Sequence, residues 1–121
     1  VTEALASVPD DVPLWSAMRR TVDLIVPPLE ANRADSDRLA AIVTATPALR
    51  ERAASKEVRL VAMISDLLVG RGASVDEAAL VARTAWGVLA YAIGVWRVTP
   101  GTPLQRHVTR GFALLSGLVN G

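Results

Sequence analysis

The sequence predicts an all-α fold: a helical bundle of about five to six helices in a single domain spanning residues 1–121. Three observations carry that expectation. Apolar residues recur at steps of three and four, the spacing that gathers side chains on one face of a helix. No stretch sustains period-two alternation, and no Asn-Gly or Asp-Gly pair sits between two such runs as a hairpin turn. Ser, Thr, Pro and Gly stand where helices should start and stop.

Residues 2–8 read as the end of a helix stopped by Pro9. The first long helix should run from about Asp11 to Ala31, with Trp15, Met18, Val22, Ile25 and Leu29 on one face. Pro27-Pro28 should kink or end it, because two N–H donors are missing and the rings clash with the preceding turn. A short second segment covers about Ser36 to Ala45, with Leu39, Ile42 and Val43 turned inward. The third helix opens at Thr46-Pro47, an N-cap followed by Pro at the first helical position. Its stripe is Leu49, Ala53, Leu60, Val61, Ile64, Leu67 and Leu68, and Gly70 and Gly72 can end it in the left-handed region. The fourth begins with the capping-box pattern Ser74-Val75-Asp76-Glu77 and runs to about Val98, where Pro100-Gly101 stops it. The fifth opens with Thr102-Pro103-Leu104-Gln105, a second capping-box pattern. Its stripe is Leu104, Val108, Gly111, Phe112, Leu115, Leu118 and Val119.

Composition narrows the function. Hydrophobic residues make up 51% of the 121, enough for a real core. The net charge is only +1, without the basic excess of a nucleic-acid-binding domain. The absence of cysteine excludes a disulfide scaffold, thiol catalysis and a Cys zinc site, and a single histidine excludes a multi-His metal site. Five aromatic residues are too few for a single-strand stacking platform. No cofactor and no metal are expected. No signal peptide is visible at the start. The uncharged run from Thr84 to Trp96 is thirteen residues, short of the about 20 needed to span a membrane. A cytoplasmic protein with no membrane partner is the expectation.

The fourth helix is apolar on two sides. Ala79, Ala82, Trp86, Leu89, Ala90 and Ile93 lie on one face, and Leu80, Val81, Val88, Tyr91, Ala92 and Val95 on the other. A small domain has little room to wrap a helix all round, so one face should pack on a second subunit. Gly87 and Gly94, seven apart on the edge of Leu80, would let another helix come close, from a partner or from the same chain. A mid-helix glycine costs roughly 1 kcal/mol against Ala, so a packing role should offset it. On the fifth helix His107, Gly111, Leu114 and Leu118 form a flanking seam. Two such helices per subunit would build an intersubunit four-helix bundle that buries about 1,500 Å² or more in a homodimer.

Catalytic constellations are missing. His107 has no Ser or Cys partner in a recoverable arrangement, and Asp10-Asp11, Asp35, Asp37 and Asp76-Glu77 fall at expected helix starts, where capping explains them. Gly70-Arg71-Gly72 follows a helix and reads as a C-cap, not a phosphate loop. Glu57 and Arg83 are the charged residues nearest apolar stripes. They could pair with each other or hold a polar group of a ligand. Trp15, Met18, Val22, Met63, Trp86 and Tyr91 are the bulky or adaptable side chains that could line a cavity between the first, third and fourth helices. A small, mostly apolar effector would fit there, with Arg83 or Glu57 as the polar anchor. A dimerisation module without a ligand, and a helical-bundle enzyme, are the rivals.

Four stretches together carry a family resemblance. They are Thr46-Pro47-Ala48-Leu49-Arg50-Glu51-Arg52, Leu67-Leu68-Val69-Gly70-Arg71-Gly72, the helix from Asp76 through Ala78-Ala79-Leu80-Val81-Ala82 to Val95-Trp96, and Gly111-Phe112-Ala113-Leu114-Leu115. They resemble the C-terminal effector-binding and dimerisation domain of TetR-family bacterial transcriptional regulators, in helix order and lengths over nearly the whole chain. The resemblance implies a homodimer joined through the last two long helices and a small-molecule effector. It also implies operator DNA, commonly under repression, bound by an N-terminal helix-turn-helix domain. Residues 2–8 would then be the tail of the helix joining the two domains, with the DNA-binding domain absent from this chain.

Overall fold

The 3–4 spacing does produce helices throughout. The structure, a computed structural model, describes residues 2–121 apart from the side chain of Ser36. Its elements are α1 (Thr2–Ala6), α2 (Leu14–Ala31), α3 (Arg33–Ala45), α4 (Pro47–Gly70), α5 (Val75–Val98) and α6 (Leu104–Asn120), with no strand among the described residues. α5 is the central element and packs on α2, α4 and α6. α1 lies on α2, and α3 lies on α4. α5 is also long and apolar enough to cross a membrane by length and composition, but its inner face is taken up by its neighbours.

The core follows from the stripes. Met18, Val22 and Val26 of α2 meet Ala78, Ala82, Ala85, Leu89 and Ala92 of α5, and Leu104, Val108 and Phe112 of α6 close the far side. Burying each large side chain contributes about 2 kcal/mol, and the alanines of α5 let its neighbours approach. The buried line of α5 falls between the two expected faces: Ala78, Ala82, Ala85, Val88, Leu89, Ala92 and Trp96. Trp96 carries the guanidinium of Arg33 over its ring at 4.6 Å, and Arg33 also donates to the Trp96 carbonyl at 3.1 Å.

Three expectations need correction. Of the two outcomes expected at Pro27-Pro28, a kink or an end, the end does not occur: α2 continues to Ala31, the limit the spacing gave. Both prolines lie on the exposed side, and the carbonyls they leave without partners belong to exposed Asp23 and Leu24, where water can serve them. α3 does not turn Leu39 and Ile42 inward: they are 62% and 50% exposed, and Val43 is half-buried. α3 rests on the first half of α4, which itself lies outside the core, because the buried residues of α4 are Ile64 and Leu68 near its end. On α6, the expected core residues Leu118 and Val119 are exposed.

The helix ends show local and tertiary capping side by side. α4 ends in a Schellman turn: Gly72 has φ +104°, its N–H donates to the Val69 carbonyl at 2.9 Å, and that of Ala73 donates to Leu68 at 3.2 Å. Gly70 stays helical. The Ser74 hydroxyl accepts from the Glu77 N–H at 3.1 Å, as the capping-box pattern requires. At α6 the pattern fails. Pro103 occupies the N-cap, one residue later than expected, and a carboxylate oxygen of Glu30 in α2 accepts from the Gln105 N–H at 3.1 Å. An acid at the positive end of the helix dipole does what Thr102 was expected to do. The acids also depart from pure capping. Asp10 and Asp11 lie in the loop before α2, and Asp37 approaches Arg33 at 3.7 Å and Arg97 at 3.8 Å.

Candidate functional site

Two surfaces of this bundle combine apolar lining with unsatisfied chemistry. The first is a groove of about 620 Å³ between α4 and α5. Val58, Val61 and Ala62 of α4 and Trp86 of α5 form its apolar walls, and Glu57, Asp66 and Arg83 stand along it. Glu57 and Arg83 thus lie along the same groove. They do not pair with each other. Among the described residues neither forms an ion pair or a side-chain hydrogen bond, and both are exposed. An apolar trough with one free guanidinium and two free carboxylates can seat an amphipathic molecule and orient its polar end.

The remaining cavity candidates lie elsewhere. Met18 and Val22 are core residues. With Trp86, Ile64 and Leu89 they surround a void of about 20 Å³, room for one water at most and lined by apolar atoms. Trp15 is half-buried and meets Phe112 edge-to-face, with ring centroids 5.6 Å apart. The Phe112 ring also carries the Arg19 guanidinium at 4.7 Å. Met63 is exposed on α4, outside the groove. Tyr91 is exposed and belongs to the second surface. The eight expected ligand residues therefore fall into separate environments, and only Glu57, Arg83 and Trp86 meet at the groove. α2 explains the difference: it packs tightly on α5, so the space left for a ligand opens on the other side of α5, against α4.

The second surface runs along the outward side of α5 and α6. Leu80 is 69% exposed and Leu118 is 81% exposed, with Leu114 and Tyr91 also open. A cleft of about 320 Å³ between the two helices is bounded by Gly87, Tyr91, Gly111, Leu114 and Leu118. A Cβ built at Gly87 or Gly94 would meet no atom within 4 Å. That excludes one of the two explanations for these glycines: no helix of the same chain approaches them. Gly111 differs. A Cβ there would lie 3.0 Å from Val88 Cγ1, so Gly111 admits the close contact of α5 with α6 inside the chain and is buried. His107 is half-buried, and its Nε2 is enclosed without a hydrogen-bond partner.

No family model matches this chain, and no curated protein matches it. The site must be judged on its own residues. Among the described residues no three His, Cys, Asp or Glu side chains come together as metal ligands. Sequence reasoning missed Val58, Ser65, Asp66 and Ala79 as groove residues. Their signal was weak, since small and exposed positions beside a stripe do not announce a cavity. Arg71 was read only as part of a C-cap, although its side chain reaches across to the loop after α1.

Proposed function

We propose that this chain is the effector-sensing and dimerisation domain of a TetR-type bacterial transcriptional regulator. It acts as a cytoplasmic homodimer, with a binding rather than a catalytic role. The observation that carries this reading is the outward face of α5 and α6. Leu80, Tyr91, Leu114 and Leu118 are large apolar side chains exposed to water, and Gly87 and Gly94 leave room for a helix that this chain does not supply. At 1.5 Å per residue, α5 and α6 are about 36 and 26 Å long. With widths of about 10 Å they offer roughly 600 Å² per copy, at the lower edge of specific interfaces. A two-fold pairing of these helices gives the four-helix bundle that the resemblance implies.

In this reading a small, mostly apolar effector lies in the α4–α5 groove, its polar end on Arg83 or Glu57. Binding favours one arrangement of α4, and the change passes to α1 and so to a helix-turn-helix domain outside residues 1–121, which contacts operator DNA. Sedimentation equilibrium with the unaltered chain and with Gly87→Leu tests the pairing. A two-chain mass that Gly87→Leu converts to one chain supports it, and an unaltered chain that stays at one-chain mass contradicts it. A dimerisation module without ligand is the alternative. The groove supports the ligand-binding reading instead, because it gathers Arg83, Glu57 and Asp66 beside Trp86 along one apolar trough. A thermal-shift screen with small amphipathic compounds separates the two, since binding to the folded state must raise stability.

A further inference from the structure

The end of α4 carries a tie to the N-terminal segment. Arg71, the C-cap residue of α4, donates from Nη1 to the Val8 carbonyl at 2.9 Å and to the Leu5 carbonyl at 3.4 Å, and from Nη2 to the Pro9 carbonyl at 2.7 Å. Nη1 also lies 3.4 Å from Asp10 Oδ1. The Arg71 side chain is 12% exposed, whereas the Asp10 carboxylate stands in water, where such a pair is screened. The three carbonyls therefore do most of the holding. They belong to the end of α1 and the loop that follows; the Leu5 and Pro9 carbonyls also accept from the Val8 and Val12 N–H groups at 3.2 Å, and the Val8 carbonyl takes the Nη1 bond. A planar guanidinium with five N–H donors can serve three carbonyls at once, and a compact ammonium cannot match that fork. Leu5, in α1, and Val8, in the loop, are both buried.

The same stretch of α4 also reaches the groove. Asp66 lines the α4–α5 groove and, with Leu67, Gly70 and Arg71, lines a second hollow beneath Thr2, Leu5 and Ala6 of α1. The last turn of α4 and its C-cap, Asp66 to Arg71, therefore has the groove at one end and α1 at the other.

We infer that Arg71 is a positioning residue that couples the α4–α5 groove to the N-terminal segment. A shift of the last turns of α4 is carried through its guanidinium to residues 2–9. This inference rests on the groove being the effector site.

The chain has no cysteine, so Ala62→Cys places a single thiol in the groove and Ser55→Cys a single thiol on α4 outside it. Pyrene maleimide on each thiol is the probe, and amide hydrogen exchange of residues 2–9 is the readout. The expected result is a change of at least about fivefold in exchange for the Ala62→Cys adduct, the lower end of ordinary site-to-site coupling. The Ser55→Cys adduct should give none. In an Arg71→Met background the segment should exchange faster with or without the label, and the label-dependent difference should vanish. Arg71→Lys, which keeps the charge without the fork, should shrink that difference and serves if Arg71→Met does not fold. An equal response in the Arg71 variants, or from the Ser55→Cys adduct, overturns the Arg71 tie. So does no response from Ala62→Cys in the unaltered background. A two-chain mass and a thermal-shift response to amphipathic compounds would still stand in those cases, so failure of the tie is distinguishable from failure of the effector site.

Discussion

α4 and α5 are both 24 residues long and are joined by one tight turn, yet they lead different lives. α5 buries residues along its whole length, from Ala78 to Trp96, while α4 buries only Ile64 and Leu68. The cause is the number of neighbours. α5 has helices on three sides, and its alanines let them come close, whereas α4 has α5 along one side and the thinly packed α3 along another. An apolar stripe becomes core only where a second surface arrives to cover it. Where none arrives, the same residue types become a groove wall, like Val58, or an open face, like Leu39 and Ile42.

The sharpest way to break this comparison is to truncate one large side chain on each helix. Trp96→Ala should cost about 3–5 kcal/mol in chemical denaturation, because it opens a cavity and removes the ring under Arg33. Val58→Ala should change stability by less than about 0.5 kcal/mol, since that side chain is mostly in water. Equal losses would mean that the first half of α4 is covered. Next in size is Arg71→Ala, which removes the Arg71 donors from the Val8 and Pro9 carbonyls, leaves Pro9 only the Val12 N–H, and should cost about 2 kcal/mol in the same assay.

The two glycines at the end of α4 sharpen the comparison further. Gly72→Ala should destabilise by about 1 kcal/mol, because φ +104° is a strained conformation for any L side chain. Gly70→Ala should stabilise by about 0.5 kcal/mol or more, as that position is helical and a Cβ there meets nothing. Melting curves with shifts of opposite sign are the expected result. Among the substitutions at helix ends, Glu30→Gln has the smallest destabilising effect. It should cost about 0.5 kcal/mol by removing the charge, but not the acceptor, at the start of α6.

These residues also mark what was legible in the sequence. Helix order, the Ser74 cap and the glycine stop after α4 depend on residues a few positions apart, and local chemistry decides them. The Glu30 cap on Gln105 joins residues 75 apart, so Thr102-Pro103 was credited with a role that a distant acid takes. Pro27-Pro28 reads as a kink or an end in the sequence because the exposure of the freed carbonyls is a tertiary fact. The site was legible in part. Glu57 and Arg83 stood out because charge beside an apolar stripe needs an explanation, and Trp86 because of its size. Met18 and Trp15 have the same chemistry as cavity residues, and only the arrival of α5 and Phe112 assigned them to packing. Gly87 and Gly94 read as close-approach positions for a partner or for a helix of the same chain, and the open space around them removes the second.

What covers that open side of α5 decides whether the chain pairs. Sedimentation equilibrium of the unaltered chain at micromolar concentration is the most direct test. The expected mass is two copies of the 12.8 kDa chain, with reduction to one copy in Gly87→Leu. A single-chain mass for the unaltered protein at every concentration would contradict it.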